Sequence, residues 1–423
     1  MKILHINNYL EKGGAEKVFR ITFTSLDKYY TDIVNYVAYT TDTKEDSYNI
    51  KKDNIFILDN WQWYGKIRGG VKYIFSYKNY RLMNKILLNV RPDIVHLHGF
   101  YAALSPSILL SLRKYKTDLN FKVIQTLHDY HIFCPNASFY SYSCNRICTD
   151  CWSKNIKTKI FYYNCDRRGK ISSIVKGVRS IISLNIIKHL NIIDFFIVPS
   201  LFMKDILLKE KKSIKNIAFI KNPTLNNNLI KNNNFKRNEI VYFGRFSKEK
   251  NLSFLINTFI EMHNENLLPK DIILTLIGTG EELSTLVYIK EESKSSNIII
   301  KSFMKERDLF EYIRQSKYFI LPSILFENSP LSILEAYQSN LIPIVSNIGG
   351  MKEMIEYFGI GYTFLPDDKN SLKSVLLTAI KNYNIDINKF SSIEKKLNEF
   401  SLENYLQNLV ELYKICLGEK QIK

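Results

Sequence analysis

Two glutamates, Glu327 and Glu335, lie in the segment of the sequence with the clearest chemical character. A strand-like apolar run precedes Glu327, and a helix is predicted to begin near Pro330, because the missing N–H of a proline in the first helical turn would be unpaired anyway. Glu327 then sits at the mouth of this helix and Glu335 just over one turn inside it. The two carboxylates can face one ligand, one near reacting atoms and one gripping paired hydroxyls. They can also be a surface glutamate and an ordinary helical one.

Two cations follow another predicted strand, in the run Phe243-Gly244-Arg245-Phe246-Ser247-Lys248-Glu249-Lys250-Asn251-Leu252. An arginine fork and a lysine point charge at the carboxyl end of a strand suit a diphosphate. Gly244 allows close approach of the backbone to such a ligand. A polar loop without a ligand would have the same composition, so Arg245 and Lys250 are candidates rather than assigned ligands.

A turn with two glycines, Gly278-Thr279-Gly280, closes the next predicted strand and precedes another helix. Its glycines permit a tight turn, and the start of the helix offers backbone N–H groups that can bind an anion. Such a turn also occurs as a plain connection. Near the start of the chain, the first predicted helix opens at Lys12-Gly13-Gly14-Ala15-Glu16.

His128 is the histidine best placed for chemistry, because it ends a predicted strand and is followed by Asp129. The carboxyl ends of parallel strands border the ligand crevice of α/β folds, which favours function over core packing. His98 is a weaker candidate of the same kind. His96 precedes it on the same strand, and we expect His96 to face the opposite way and to be structural.

A cysteine-rich insert directly follows His128 and Asp129. A Cys-x-x-Cys pair is a common metal-ligand spacing, and thiolates in a short irregular loop of a reducing compartment suit a structural zinc better than disulfides. The predicted ligands are Cys134, Cys144, Cys148 and Cys151. Cys165 is an alternative ligand, and four unligated thiols remain the competing interpretation.

Composition excludes several classes of protein. The 423 residues are 46% hydrophobic and 24% charged, which is a globular balance. No apolar stretch reaches the roughly 18–20 residues of a membrane helix, and the start of the chain turns polar too soon for a signal peptide. We therefore expect a soluble, cytoplasmic protein. A net charge of +18 suggests an anionic partner: nucleic acid, a phosphorylated small molecule or the inner leaflet of a membrane.

Strands and helices alternate along the chain, which predicts βαβ units and parallel sheets. The pattern is interrupted by a stretch rich in Asn and Lys and then restarts, so we predict an α/β fold of two Rossmann-like domains facing each other across a cleft. The predicted N-terminal domain covers residues 1–222, with the cysteine-rich insert at about 128–170. A linker is predicted at 223–237, a second domain at 238–400 and a C-terminal helix at 401–423.

Taken together, these motifs resemble glycosyltransferase family 4 in order and spacing over nearly the whole chain. The most specific match is the E-x7-E region from Pro322 to Ala336, with Gly349-Gly350 after the next strand. The other matching segments are Gly13-Gly14-Ala15-Glu16, residues 91–99, Thr126-Leu127-His128-Asp129, residues 242–252 and Gly278-Thr279-Gly280.

The resemblance implies a GT-B architecture with a nucleotide-sugar in the cleft, transfer with retention of anomeric configuration, and chemistry that needs no divalent metal. It implies that Arg245 and Lys250 hold the donor diphosphate, that Glu335 binds the ribose hydroxyls, and that Glu327 lies beside the donor sugar. Further donor contacts are implied for Gly13, Gly14, Gly278, Ser329, Leu331 and Ser332. His128 is implied near the transferred sugar, with His98 and Asp129 on the acceptor side.

One departure from the family pattern matters. Many members have Gly-Phe-Gly where this chain has Asn328-Ser329-Pro330. Because Pro330 has no N–H, any phosphate contact at that point must shift to neighbouring amides.

The leading functional prediction is a retaining glycosyltransferase that uses a nucleoside-diphosphate sugar and a saccharide or lipid-linked acceptor in surface polysaccharide synthesis. Its partners would include an anionic membrane surface on the inner face of the cell membrane, and no nucleic acid is expected. No cofactor is expected for catalysis. Two alternatives are a basic zinc-containing nucleic-acid-binding protein and a non-catalytic nucleotide-sugar-binding protein.

Overall fold

A computed structural model of the chain describes residues 1–43, 53–144, 146–152, 156–211, 214, 216–224 and 236–419. Most of the predicted linker at 223–237 lies outside these residues. The chain divides into two compact units. The first unit comprises Met1–Asn222 and Glu403–Lys423, and the second comprises Pro223–Leu402.

The first unit is built on a seven-stranded sheet. Its strands are β1 (Lys2–Ile6), β2 (Val34–Tyr39), β3 (Ile55–Ile57), β4 (Ile94–Leu97), β5 (Lys122–Thr126), β8 (Phe195–Val198) and β9 (Ile217–Phe219). All pairings are parallel, in the order β3-β2-β1-β4-β5-β8-β9. The order reverses between β1 and β4, as in a Rossmann fold.

The helices of this unit cover its sheet, and a small hairpin lies in the cysteine-rich insert. The hairpin pairs β6 (Tyr140–Ser141) with β7 (Arg146–Ile147) in antiparallel fashion. The helices are α1 (Gly14–Tyr29), α2 (Lys66–Ile74), α3 (Tyr77–Val90), α4 (Ser107–Tyr115), α5 (Lys159–Tyr162), α6 (Lys170–Ile181) and α7 (Leu201–Glu210).

The second unit has a six-stranded parallel sheet. Its strands are β10 (Arg237–Arg245), β11 (Ile273–Thr279), β12 (Ile298–Lys301), β13 (Ser316–Leu321), β14 (Ile342–Ser346) and β15 (Tyr362–Phe364). They lie in the order β12-β11-β10-β13-β14-β15. The strand order of this sheet therefore also reverses once, between β10 and β13. All of its pairings are parallel.

Helices α8 to α15 belong to the second unit. They are α8 (Leu252–Asn264), α9 (Leu283–Ser293), α10 (Glu306–Ile313), α11 (Leu331–Gln338), α12 (Gly349–Phe358), α13 (Lys369–Lys381), α14 (Tyr383–Ile387) and α15 (Glu394–Asn398). The central strands are buried on both faces, as expected for a parallel sheet covered by helices.

The last helix, α16 (Leu402–Cys416), belongs to the first unit although it follows the second in sequence. Two of its buried tyrosines fix it there. The hydroxyl of Tyr405 lies 2.7 Å from Thr22 Oγ1, and that of Tyr413 lies 2.7 Å from His96 Nδ1. No helix of the described ranges is long and apolar enough to cross a bilayer.

Candidate functional site

The cationic and carboxylate motifs of the second unit follow β10 and β13, the neighbouring strands between which the strand order of the sheet reverses. Arg245 ends β10, and Ser323 follows the end of β13. Loops at such a reversal diverge and leave a crevice at the carboxyl ends of the strands, where open α/β sheets bind ligands. The two loops are joined directly, because the backbone N–H of Ile324 donates to the carbonyl of Glu249 at 3.0 Å.

Lys250 and Glu327 form an ion pair across these two loops. Lys250 Nζ donates to Glu327 Oε1 at 2.5 Å, and the Ser323 hydroxyl donates to the same oxygen at 3.0 Å. Both charged side chains are largely shielded from solvent, with 18% and 23% of their surfaces exposed. Burial alone would raise the pKa of Glu327, but Lys250, Ser323 and Arg245 together hold it below its usual range. Glu327 is therefore an ionised carboxylate at neutral pH.

Arg245 lies beside this pair and is open to solvent. Its backbone is fixed, because the hydroxyl of Tyr242 donates to the Arg245 carbonyl at 2.8 Å. Its guanidinium is 71% exposed and lies 3.4 Å from Glu249 Oε1. The site therefore combines a shielded lysine with an accessible arginine, both at the carboxyl end of the same strand.

Gly278 and Gly280 hold the loop that carries Arg245. A Cβ on Gly278 would lie 1.9 Å from the carbonyl oxygen of Gly244, and one on Gly280 would lie 2.2 Å from that of Phe246. The Phe246 N–H donates to the Thr279 carbonyl at 2.8 Å. The structure thus gives Gly278, predicted as a donor-binding residue, a packing role in positioning the cationic loop.

Helix α11 begins directly after the loop of Glu327, at Leu331 rather than at Pro330. Pro330 is the N-cap in an extended conformation, and the structure gives it no side-chain cap. Leu331 and Ser332 are the first two helical residues, with Ser329 just before the cap, so these predicted contacts lie at the positive end of the helix. Glu335 lies one turn inside. The start of α11, four residues after Glu327, therefore offers backbone N–H groups near the Lys250–Glu327 pair, and the first turns of the helix carry Glu335.

The double glycine at the start of α12 locks this loop in place. A Cβ on Gly350 would lie 1.7 Å from the carbonyl oxygen of Asn328, and the Gly350 N–H donates to the Glu327 carbonyl at 2.8 Å. No side chain fits at residue 350 while the loop keeps this path.

In the first unit, the prediction that His96 and His98 face opposite ways is wrong. Their ring centroids are 4.1 Å apart, and His5 on the neighbouring strand packs against both. Positions i and i+2 of a strand share a face, so the period of two places these rings together. All three histidines are buried, and burial holds the pKa of each below its usual value.

His128 continues this histidine group at the end of β5. Its Nε2 lies 3.5 Å from His98 Nδ1, and the two rings are stacked. Burial lowers the pKa of His128 to about 4, although Asp129 opposes the shift. Asp129 accepts instead from His131, with Oδ1 2.5 Å from His131 Nδ1. At neutral pH, His128 is therefore an uncharged hydrogen-bonding group, and the Asp129–His131 pair is separate from it.

Gly13 and Gly14 lie at the exposed start of α1. Gly13 is the N-cap residue with an extended backbone, and Gly14 is the first residue of the helix. Lys12, the residue before them, forms an ion pair with Asp42 and lies over the ring of Tyr9. The start of α1 is therefore exposed to solvent at these two glycines and has no side-chain cap.

A buried arginine that sequence reasoning missed fixes the loop after β4. Arg179 of α6 donates to the carbonyls of Phe100, Tyr101 and Leu104 at 3.0, 2.6 and 3.1 Å. Nothing in the sequence distinguishes it from the other basic residues of its segment, because only the fold places three carbonyls around it.

The cysteines are arranged differently from the prediction. All six are free thiols. Cys134, Cys148 and Cys151 line one pocket together with Cys165, whereas Cys144 is exposed and does not line it. The fourth thiol of the pocket is that of Cys165. The spacing of the cysteines in the sequence does not reveal this, because it depends on how the insert folds.

Residues 226–396 match the family model described as glycosyl transferases group 1. The C-terminal unit belongs to this family. The matched range covers most of the second unit, including Arg245, Lys250, Glu327 and Glu335, so the group 1 domain contains the whole cationic and carboxylate site.

Curated relatives of this chain are glycosyltransferases. An Escherichia coli UDP-Gal:alpha-D-GlcNAc-diphosphoundecaprenol alpha-1,3-galactosyltransferase is 27% identical over 180 residues, which cover 42% of this chain and 46% of that protein. The Staphylococcus aureus capsular polysaccharide biosynthesis glycosyltransferase CapH is 31% identical over 126 residues, 29% of this chain and 34% of that protein. The chain thus spans less than half the length of these two relatives.

Solved structures confirm the fold class. The structure of Anabaena Alr3699/HepE in complex with UDP and glucose matches with a TM-score of 0.66 at 14% identity, over 97% of this chain and 99% of that chain. The fold of the chain is therefore the predicted GT-B type, with two Rossmann-like domains.

Proposed function

We propose that the chain is a retaining glycosyltransferase that transfers a sugar from a nucleoside-diphosphate sugar to a saccharide or lipid-linked acceptor in surface polysaccharide synthesis. The observation that carries this proposal is the grouping of Arg245, Lys250 and Glu327 with the start of α11 at the reversal point of the second sheet. Two cations and a helix start form a diphosphate site, and the adjacent carboxylate lies where the attached sugar would follow.

The proposed chemistry follows from charge. Breaking the sugar–diphosphate bond builds negative charge on the leaving oxygen, and groups aimed at that oxygen stabilise the transition state. Arg245, Lys250 and the first amides of α11 supply positive charge and oriented dipoles there. Because these protein groups can carry the stabilisation, we propose that the transfer itself needs no divalent metal.

Glu327 and Glu335 have different proposed roles. Glu327 is held ionised next to Lys250, so it can accept hydrogen bonds from donor-sugar hydroxyls and stabilise developing positive charge on the sugar. Glu335 lies one turn inside α11, and its proposed role is to accept hydrogen bonds from the paired hydroxyls of the ribose. In this proposal Glu327 contacts the sugar end of the donor and Glu335 contacts its nucleoside end.

The donor and acceptor classes are supported by the relatives. The name of the E. coli relative specifies UDP-Gal and a diphosphoundecaprenol-linked acceptor, and the HepE structure holds UDP and glucose. We propose a uridine-diphosphate sugar as the donor of this chain. On the acceptor side we propose His98, His128 and Asp129, with His128 acting as a neutral hydrogen-bonding group. The nucleic-acid-binding and non-catalytic alternatives receive no support from the comparisons.

The test is a panel of uridine-diphosphate sugars with lipid-linked and free saccharide acceptors, assayed for transfer with and without a chelator. We expect transfer from at least one donor, chelator-resistant turnover and an α-linked product from an α-linked donor. Absence of transfer and of donor binding across the panel would overturn the proposal. Inversion of the anomeric centre would overturn the retaining mechanism alone.

We also propose that the first unit docks on an anionic membrane surface through α2 and α6. The two helices are joined by a hydrogen bond from Arg179 to the hydroxyl of Tyr73 at 3.1 Å. They display solvent-exposed aliphatic side chains, with Ile67 89% and Ile171 80% exposed. The basic residues Lys66, Arg68, Arg167 and Lys170 are exposed on and beside the same helices. Apolar side chains framed by cations are complementary to an interface of anionic lipids.

Vesicle flotation tests the docking surface. We expect the protein to float with vesicles rich in anionic lipid and not with neutral vesicles, and Ile67→Ser combined with Ile171→Ser to weaken flotation. Ile385→Ser, a change of an isoleucine of the second unit that is 61% exposed, is the control. Equal flotation of the double variant and the control would contradict this surface.

A further inference from the structure

The cysteine-rich insert encloses a pocket whose purpose the transfer reaction does not explain. Four thiols line it, from Cys134, Cys148, Cys151 and Cys165, together with side chains of α5. Hydrogen bonds to backbone carbonyls bring these distant positions together. The Cys148 N–H donates to the Phe139 carbonyl at 2.7 Å, and the Asn136 side chain donates to the Cys165 carbonyl at 2.8 Å.

One buried lysine, Lys157, lies against the cysteine cluster, and a second, Lys211, contacts Lys157. Lys157 is 1% exposed and Lys211 is 6% exposed, and the two ammonium groups interact with each other. Lys157 Nζ donates to the carbonyls of Cys151 and Trp152 at 2.5 and 3.2 Å. Within the described residues no carboxylate forms an ion pair with Lys157, and the groups near it that can become anionic are Cys151 and Cys134.

We infer that Cys134, Cys148, Cys151 and Cys165 bind one structural Zn²⁺ ion as four thiolates. Zinc prefers tetrahedral thiolate coordination, and a centre of four thiolates and Zn²⁺ carries a formal net charge of −2. Lys157, whose Nζ donates to the Cys151 carbonyl, lies close enough to offset part of this charge. Binding displaces the thiol protons into solvent and involves no oxidation or reduction.

Cys144 is excluded from this ligand set, in contrast to the prediction from spacing. It is exposed, and it does not line the pocket. Its place is taken by Cys165, which is buried and follows α5. Whether Cys144 or Cys165 is the fourth ligand can be tested directly by substitution.

A second group of potential ligands exists and is unsuited to an ion. Of the described residues, His5, His96 and His98 have ligand atoms within 4.8 Å of one another, closer than the thiols stand. However, both ring nitrogens of His96 are already hydrogen-bonded, to Tyr413 at 2.7 Å and to Thr126 at 2.8 Å. The partners of the Cys148 and Cys151 sulfurs are backbone groups of Asp150 and Ile160, which favour the thiolate, and zinc–sulfur bonds of about 2.3 Å would draw the thiolates inward.

The physical role of the ion is to replace a core that the insert lacks. The regular structure there is the hairpin of β6 and β7, with two residues in each strand, and the four-residue α5. Such short elements bury too little apolar surface to be stable alone, and metal binding supplies folding free energy in small modules. The ion would also fix α5, because Lys159, Ile160 and Tyr163 line the same pocket.

Metal analysis of the full chain tests the inference. Wild-type protein purified without chelator should contain about one zinc per chain, and all six cysteines should be alkylated after denaturation without reductant. Cys165→Ser should lose the zinc, whereas Cys144→Ser and Cys416→Ser should keep it. Cobalt-loaded wild-type protein should show the thiolate-to-cobalt charge-transfer absorption of a tetrahedral site, and this signal should be unchanged in Cys144→Ser.

The outcomes separate the alternatives. A folded wild-type protein without bound metal, or with disulfides among these cysteines, would overturn the site. Loss of zinc in Cys144→Ser with retention in Cys165→Ser would overturn the ligand set and restore the one predicted from spacing. Cys165→Ser could fail to fold, but the wild-type stoichiometry and the Cys144→Ser variant still decide the inference.

Discussion

Lys250 Nζ lies 2.5 Å from Glu327 Oε1, and this ion pair joins the loops that follow β10 and β13, the two strands between which the second sheet reverses direction. The lysine comes from the cationic motif and the glutamate from the E-x7-E motif. Two motifs separated by 77 positions are therefore parts of one site. Any ligand that binds one of these residues also changes the environment of the other.

Removing either cation should impair transfer. Lys250→Ala and Arg245→Ala should each lower kcat/KM by about 10²–10³-fold, the usual effect of removing one group that stabilises a developing oxyanion. Lys248→Ala removes an exposed cation from the same loop and should have near-normal kinetics. Steady-state kinetics with the preferred donor measure all three, and near-normal turnover in both Lys250→Ala and Arg245→Ala would reject the diphosphate role.

The two glutamates should separate in their kinetic effects. Glu327→Gln should lower kcat with little change in the donor KM, because the charge next to the sugar acts mainly in the transition state. Glu335→Gln should mainly raise the donor KM, because a ribose contact is the same before and during reaction. The reverse pattern would show that the proposed roles are exchanged.

The loop of Glu327 should not tolerate a side chain at residue 350. Gly350→Ala would place its Cβ 1.7 Å from the Asn328 carbonyl oxygen, so we expect a loss of about 1–3 kcal/mol in the free energy of unfolding, as for overpacked sites, and a loss of donor binding. Gly70→Ala is the matched control, because nothing lies within 4 Å of its added Cβ. Chemical denaturation and donor titration distinguish the two variants, and wild-type behaviour of Gly350→Ala would contradict the loop path.

Acid should destabilise the first unit before the second. Burial lowers the pKa of His5 to about 4 and that of His189 to about 3. The unfolded chain binds protons at these histidines more readily than the folded chain does. The stabilisation by the neutral histidines is therefore complete above about pH 6.5 and is lost as the pH falls below that value. The loss is about 1.4 kcal/mol for each histidine and each pH unit.

Hydrogen exchange measures this difference between pH 7 and pH 5. All histidines except His263 lie in the first unit, so protection should fall with pH mainly there. An equal loss of protection in both units would contradict the assignment of neutral, buried histidines.

Sequence patterns predicted the strands with a continuous apolar run, including the edge strand β12, and missed β2, β3, β9 and β15. β4 is buried at every position and stands out as a continuous apolar run. β3, β9 and β15 have three residues each, and β2 mixes exposed and buried positions. A hydrophobic pattern of three residues does not distinguish a strand from a loop. Only pairing with a neighbouring strand identifies these segments as strands.

The candidate site could be predicted only as far as local spacing reaches. Arg245, Lys250, Glu327 and Glu335 are recognisable because each follows the end of a strand or the start of a helix. The Lys250–Glu327 pair, the exchange of Cys144 for Cys165 and the three carbonyls around Arg179 depend on segments distant in sequence. The error at His96 came from applying the strand period incorrectly, since alternate positions face the same side.

The most direct test of the central claim is donor-induced thermal stabilisation of wild-type, Lys248→Ala and Lys250→Ala proteins in the presence of a chelator. We predict that a uridine-diphosphate sugar raises the Tm of the wild type and of Lys248→Ala, and raises that of Lys250→Ala far less. An equal rise in Lys250→Ala, or no rise in the wild type with any nucleoside-diphosphate sugar, would contradict it.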